Sequence, residues 1–232
     1  MSQKDLIEEI NSKYKDLGEN PDTYLSGMRY AKPVNYWDYC EVDTLLALQK
    51  PKTDIPDESV FIMYHQVNEL LFKMILSEIE QVANAENIEL DFFVNRLGRI
   101  NRYFDVLISS FAIMKYGMEV EQYMKFRDAL TPASGFQSVQ YRKIEIACTD
   151  LNNLIDARYK HKADEFVGLQ SKIDNLYWHA AGKNHKTGEK SLMLSMFEEK
   201  YSKELLDTAK EYETKNLRAV FNSLNEEDKK SP

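Results

Sequence analysis

The sequence predicts an all-α helical bundle, and three observations carry that expectation. Apolar residues recur at i, i+3, i+4 and i+7 over long stretches, the spacing of one helix face. Only 8 Gly and 6 Pro occur in 232 residues, most of them between those stretches, where they punctuate rather than interrupt. No segment alternates apolar and polar residues as a half-buried strand would, and Glu, Lys, Leu and Gln are spread throughout.

Taken in order, residues 3–16 read as an amphipathic helix, followed by an irregular Tyr-rich segment punctuated by Gly18, Pro21 and Pro33. Residues 43–49 read as a short helix ended by Pro51 and Pro56. The strongest helix is expected over 59–85, with Val60, Tyr64, Val67, Leu71 and Met74 inward and Ile75 and Ile79 offset by one turn. Asp57-Glu58-Ser59 supplies its capping residues and acids suited to a helix N-terminus. A second long helix over 91–116 places Ile100, Phe104, Leu107, Ile108, Phe111 and Met114 on one face and stops at Gly117. Further helices are expected over 120–130, 136–159 and 163–179. After a polar loop over 182–188, a long or broken helix over 192–224 turns Leu194, Phe197, Tyr201, Leu205, Ala209 and Leu217 inward. No internal repeat is visible. The chain reads as a single domain over 1–232, residues 1–58 forming a first helix and Tyr-rich arm and 59–232 the helical core.

The formal charge of −8 argues against nucleic acid, whose binders carry a basic face, and no Lys/Arg block offsets it. Cys40 and Cys148 lack metal-binding or disulfide-framework spacing, as expected of a reducing cytoplasm. No apolar run approaches the ~18 residues of a membrane span, and the N-terminus lacks the apolar region of an export signal.

The stretch from Phe126 to Ser138 interrupts helical text with an arginine and a compact polar loop. The Arg127 guanidinium is a planar fork of donors suited to a carboxylate, and Ser134-Gly135 offers a sharp turn and donors to an anion or cofactor. The plainer alternative is that Arg127 pairs with Asp128 or a nearby Glu on a solvated face, beside an ordinary turn from Pro132 to Gly135. His65 lies beside the apolar stripe of the strongest helix, as a core histidine or a functional one. Phe61 precedes it by one turn, and Glu69 follows at i+4, where it could orient the imidazole. No Glu stands three residues before any histidine, so the di-iron pattern of helical bundles is absent. His179 and His185 flank the polar loop, as metal ligands or, more simply, on a solvated surface. Tyr24, Tyr30, Tyr36, Trp37 and Tyr39 could line a pocket, cover a partner subunit or cover the core.

Three segments together resemble the tryptophan 2,3-dioxygenase family: residues 36–46 from Tyr36-Trp37-Asp38-Tyr39-Cys40, residues 57–70 around Phe61-Ile62-Met63-Tyr64-His65-Gln66, and Tyr123-Met124-Lys125-Phe126-Arg127 through Gln140-Tyr141-Arg142. The resemblance implies the all-α fold of that family and a haem b enzyme that adds both atoms of O2 across the indole C2–C3 bond of L-tryptophan, giving N-formylkynurenine in tryptophan catabolism. It also implies that His65 is the distal histidine bonding the indole N–H, that Arg127 clamps the substrate carboxylate, and that Phe61 and Tyr123 pack against the indole. Ser134 and Gly135 would lie near the haem edge, and Tyr36, Tyr39 and Cys40 would belong to an arm completing a neighbouring subunit's pocket in a homotetramer. The chain departs from the family in having no His after His185 and no Gly after Gly188, where a proximal iron ligand and a Gly-rich loop are expected. The implied reading is therefore a distal-side portion whose polar end, residues 225–232, leads into a further segment. A rival reading makes His179 or His185 the iron ligand, so the metal ligand stays unassigned. The functional alternatives are a non-catalytic helical module of the same fold, binding an indole acid or nothing, and a related haem enzyme acting on another indole.

Overall fold

The computed structural model describes residues 2–131, 135–184 and 186–224. It divides into two compact units, Met1–Leu48 and Gln49–Pro232. In the first, α1 (Gln3–Asp16) begins at a reciprocal cap: the Ser2 hydroxyl accepts from the Asp5 amide at 3.2 Å, and the Asp5 carboxylate accepts from the Ser2 amide at 2.8 Å. The segment expected to be irregular holds a helix, α2 (Pro21–Met28). Asn20 caps the Asp22 amide and Pro21 presets the first helical φ, so a Pro read as punctuation is a start signal. Asn35 caps the single turn α3 (Tyr36–Tyr39), and α4 (Val42–Leu46) ends three residues before the expected boundary.

The second unit is built on α5 (Pro56–Ala83) and α6 (Leu90–Tyr116), with α7 (Val120–Phe126) running into a 3-10 turn over Arg127–Leu130. Then come α8 (Val139–Cys148), α9 (Leu169–Ile173), α10 (Tyr177–Ala181), α11 (Leu192–Tyr212) and α12 (Leu217–Ser223). Among the described residues there is no strand, only isolated bridges at Ile155–Leu176 and Lys183–Lys190. One core joins Ile75, Ile79, Phe93, Ile100, Ile144 and Val220; a second joins Ile146, Leu176, Trp178, Leu194, Phe197 and Leu205. No helix among the described residues is long and apolar enough to cross a membrane.

Three expected helices are shorter or broken. The one expected over 136–159 stops at Cys148, because Thr149 is extended and Asp150 caps a new 3-10 turn. The one expected over 163–179 is split at Gly168, whose φ of 83° is open to glycine at no steric cost. The last breaks between α11 and α12, where the Asn216 side chain caps the Ala219 amide at 2.9 Å. The expected inward faces are also too broad. Val67 and Met74 on α5, and Ile108 and Phe111 on α6, are exposed, since each helix gives the core only a narrow stripe.

Two adjacent acids at the start of α5 fasten that helix to the chain around it. The helix opens at Pro56, and Asp57 and Glu58 do not cap it in the expected way, because both reach outside it. Fully buried Glu58 accepts from the Lys52 amide at 2.6 Å, the Thr53 amide at 2.7 Å and the Thr53 hydroxyl at 2.6 Å, closing the loop before the helix. Asp57 accepts from the Glu119 amide at 2.6 Å, while its own amide donates to Gln122 Oε1 at 3.3 Å. The starts of α5 and α7 thus satisfy each other's free N–H groups. Deeper along the hairpin, Glu78 joins Arg96 at 2.9 Å and Arg99 at 2.7 Å, fixing α6 against α5.

Burial alone would raise the Glu58 pKa, but the donors from Lys52 and Thr53 outweigh it and hold the carboxyl below the ordinary glutamate range. Its stabilisation is therefore complete above the unfolded-state value of ~4.3 and lost as pH falls through the folded one. Glu58→Ala leaves three donors without their acceptor and is expected to cost about 3 kcal/mol at neutral pH. Urea unfolding of both proteins across the acid range should show the gap shrinking as pH falls below ~4.3.

Candidate functional site

On α5 the residues Phe61, Tyr64, His65, Asn68, Glu69 and Phe72 follow one another at helical spacing on one face. With Phe111 and Met114 of α6, Leu130 of the 3-10 turn, and Gly135, Gln137 and Ser138 before α8, they line a cavity of about 540 Å³. The Ser138 hydroxyl also caps α8 by accepting from the Tyr141 amide at 3.3 Å, so one residue both ends the cavity wall and starts the helix behind it.

Aromatic packing arranges the entrance. The Phe61 ring lies 4.2 Å from that of His65 and 6.2 Å from that of Tyr123, while Phe126, fully buried, meets both Phe61 and Tyr123 edge-on. These offset and T-shaped contacts match the aromatic quadrupole, and they fix Phe61 between the cavity and α7. The His65 Nδ1 is 2.8 Å from the Phe61 carbonyl oxygen. A carbonyl only accepts, so Nδ1 carries the proton, and in the neutral ring Nε2 presents its lone pair as an acceptor. The orienting group is thus the backbone one turn earlier, in place of the expected Glu69. That carboxylate is engaged by Gln140, whose Nε2 donates to it at 2.8 Å.

Arg127 is exposed, with its guanidinium carbon 5.9 Å from the Tyr123 ring centre and Nη1 3.7 Å from the Met124 sulfur. No described carboxylate pairs with it, so the alternative surface pair with Asp128 or a nearby Glu does not form among the described residues. Tyr123 stands beside Phe61 and Arg127 beside Tyr123, and neither is among the residues lining the cavity. Gly135 opens a 3-10 turn and is part of the lining. Ser134 lies outside the described residues. Tyr36, Tyr39 and Cys40 belong to the first unit; the two tyrosines are 74% and 80% exposed, and Cys40 and Cys148 are both unpaired.

His179 is not the solvated surface residue expected beside its polar loop. It is buried in α10, with Nε2 2.6 Å from Glu198 Oε1. Burial lowers its pKa, and the facing Glu198 carboxylate partly offsets this. His185 lies outside the described residues, and His161 is exposed on a 3-10 turn. The apolar wall of Phe61, Phe72, Phe111, Met114 and Leu130 suits a flat macrocycle. Yet His65 is the one described imidazole lining the cavity, and no described group of three or more His, Cys, Asp or Glu side chains could hold a metal ion. Among the described residues, then, the cavity offers no second imidazole besides His65 that could hold a haem iron.

Sequence reading did not find Asn68, Phe72, Leu130 or Gln137 as site residues. The first two continue the Phe61–His65 face at i+7 and i+11, so periodicity held the signal for them. Nothing in the local sequence marks Gln137, which reaches the Met193 sulfur far along the chain.

Comparison with known proteins gives the family of the chain. The family model described as tryptophan 2,3-dioxygenase matches residues 26–230. Among curated relatives, the tryptophan 2,3-dioxygenase of Ruegeria pomeroyi is 34% identical over 149 residues, 63% of this chain and 53% of that protein. That of Ruegeria sp. strain TM1040 is 36% identical over 159 residues, 68% of this chain and 57% of the relative. That of Sorangium cellulosum is 38% identical over 129 residues, 51% of this chain and 31% of the relative. The chain spans about half the length of the first two. With the family model matched from residue 26 to residue 230, the chain belongs to the tryptophan 2,3-dioxygenase family.

Proposed function

We propose that the chain recognises L-tryptophan for oxidative cleavage of its indole ring to N-formylkynurenine, with O2 as co-substrate. The observation that carries this reading is the His65 ring, whose Nδ1 is committed to the Phe61 carbonyl so that Nε2 can accept an indole N–H at the aromatic cavity. Phe61 and Tyr123 offer faces for the indole, and Arg127, with no described carboxylate partner, offers its fork to the substrate carboxylate. Together they make a site for an aromatic amino acid: an apolar box with two polar groups that fix orientation. Haem b would supply the oxygen chemistry when bound, and the residue that would hold its iron stays unassigned. The part assigned to this chain is recognition, orientation and exclusion of water. Family membership supports the catalytic reading, and no observation favours the non-catalytic module.

We also propose that the exposed aromatics of α3 meet a neighbouring copy in a homotetramer, since Tyr36, Trp37 and Tyr39 present a large apolar surface. A cytoplasmic setting suits the two unpaired cysteines.

Calorimetric titration of the chain with L-tryptophan tests the site. Arg127→Ala is expected to weaken L-tryptophan by about 2 kcal/mol, the worth of charged hydrogen bonds, while leaving tryptamine, which lacks the carboxylate, unaffected. Equal losses for both ligands would remove Arg127 from carboxylate recognition. For His65→Leu, the preference for L-tryptophan over its 1-methyl analogue is expected to vanish, because the analogue has no ring N–H to donate. A preference that survives would place the indole N–H elsewhere.

A further inference from the structure

Glu69 stands four residues after His65 on α5, the spacing at which a carboxylate commonly reaches a neighbouring side chain on the same face. Here no ion pair joins them. The Gln140 Nε2 donates at 2.8 Å both to Glu69 Oε2 and to the Glu69 backbone oxygen. Gln140 sits in the first turn of α8, two residues after Ser138 of the cavity wall, so this forked bond also ties that wall to α5. None of the described lining residues from α6 or from the segment before α8 is charged. Glu69 is therefore the only described acid lining the cavity and His65 the only imidazole, with Tyr64 the one phenol.

A carboxylate brought onto His65 Nε2 would favour the charged ring and turn that nitrogen from an acceptor into a donor. A protonated Nε2 cannot receive an indole N–H. We propose that Gln140 is a positioning residue: by holding the Glu69 carboxylate away from the imidazole, it keeps His65 a neutral acceptor for the N–H of an indole substrate. The inference rests on reading the cavity as an indole site, and it adds to that reading the part that sets its hydrogen-bond polarity.

Gln140→Leu removes the donor at similar volume and frees Glu69. In that variant, L-tryptophan affinity measured by calorimetry near neutral pH is expected to fall about tenfold, the worth of one hydrogen bond, and to recover as pH rises. Nitrogen-resolved NMR of the His65 ring is expected to show more of the doubly protonated ring in the variant than in the wild type at the same pH. Adding Glu69→Gln to Gln140→Leu should restore the wild-type ring state and pH profile, because an amide cannot charge the imidazole. An unchanged ring state in Gln140→Leu overturns the inference even if binding weakens, since a purely structural loss would lower affinity without moving the ring. Should that variant fail to fold, as judged by circular dichroism, Gln140→Met gives the same readout. If the wild type binds no L-tryptophan, the indole reading itself falls; if it binds and the ring state is indifferent to Gln140, only the positioning role of Gln140 does.

Discussion

The exchange of hydrogen bonds between the starts of α5 and α7 is the constraint on which the site depends. A helix N-terminus carries N–H groups that its own backbone cannot satisfy. Here each of the two helices answers for the other: Asp57 takes the Glu119 amide, and Gln122 takes the Asp57 amide, across more than sixty residues of sequence. Once those two ends are joined, Phe61 lies one turn inside α5 and Tyr123 one turn inside α7, and their rings meet with Phe126 wedged against both. Arg127 follows at the end of the same short helix. The aromatic entrance is thus a consequence of end-to-end capping, reinforced by Glu58, which fastens the loop leading into α5.

Local backbone chemistry then decides what His65 can do. A helical carbonyl normally accepts from the amide four residues on; the Phe61 carbonyl is also met by the imidazole of the residue at that position. The ring's tautomer is consequently set by the helix that carries it, with no need of a carboxylate. This division of labour leaves Glu69 free to serve the contact between α5 and α8, which is where the cavity wall is anchored.

Much of this was legible in the sequence because periodicity is a local property. The face from Phe61 to Phe72, the long hairpin of α5 and α6, and the arginine before a polar turn can all be read from neighbouring residues. The remainder was set by partners distant in sequence. Glu58 and Asp57 look like ordinary first-turn acids, and only the folded chain shows that their oxygens turn outward to Thr53 and Glu119. Thr149 ends a helix and Gly168 starts one within stretches whose apolar pattern runs on through them, since a backbone excursion costs little where the next residues find a second core. His179 looks like a surface residue because a polar loop lies next to it, whereas in the fold it is buried in α10 with the Glu198 carboxylate facing it from α11. Val67 and Ile108 satisfy the helical pattern yet face outward, since the pattern identifies a face without saying what covers it.

The shortest consequential element is α8. Its ten residues begin just after Ser138 on the cavity rim, and they send Ile144 and Ala147 into one core and Ile146 into the other. Occupancy of the cavity and integrity of both cores are therefore joined through a single short rod. A ligand that binds only the folded wall draws the whole second unit toward the native state by mass action, by an amount that grows with the logarithm of its concentration.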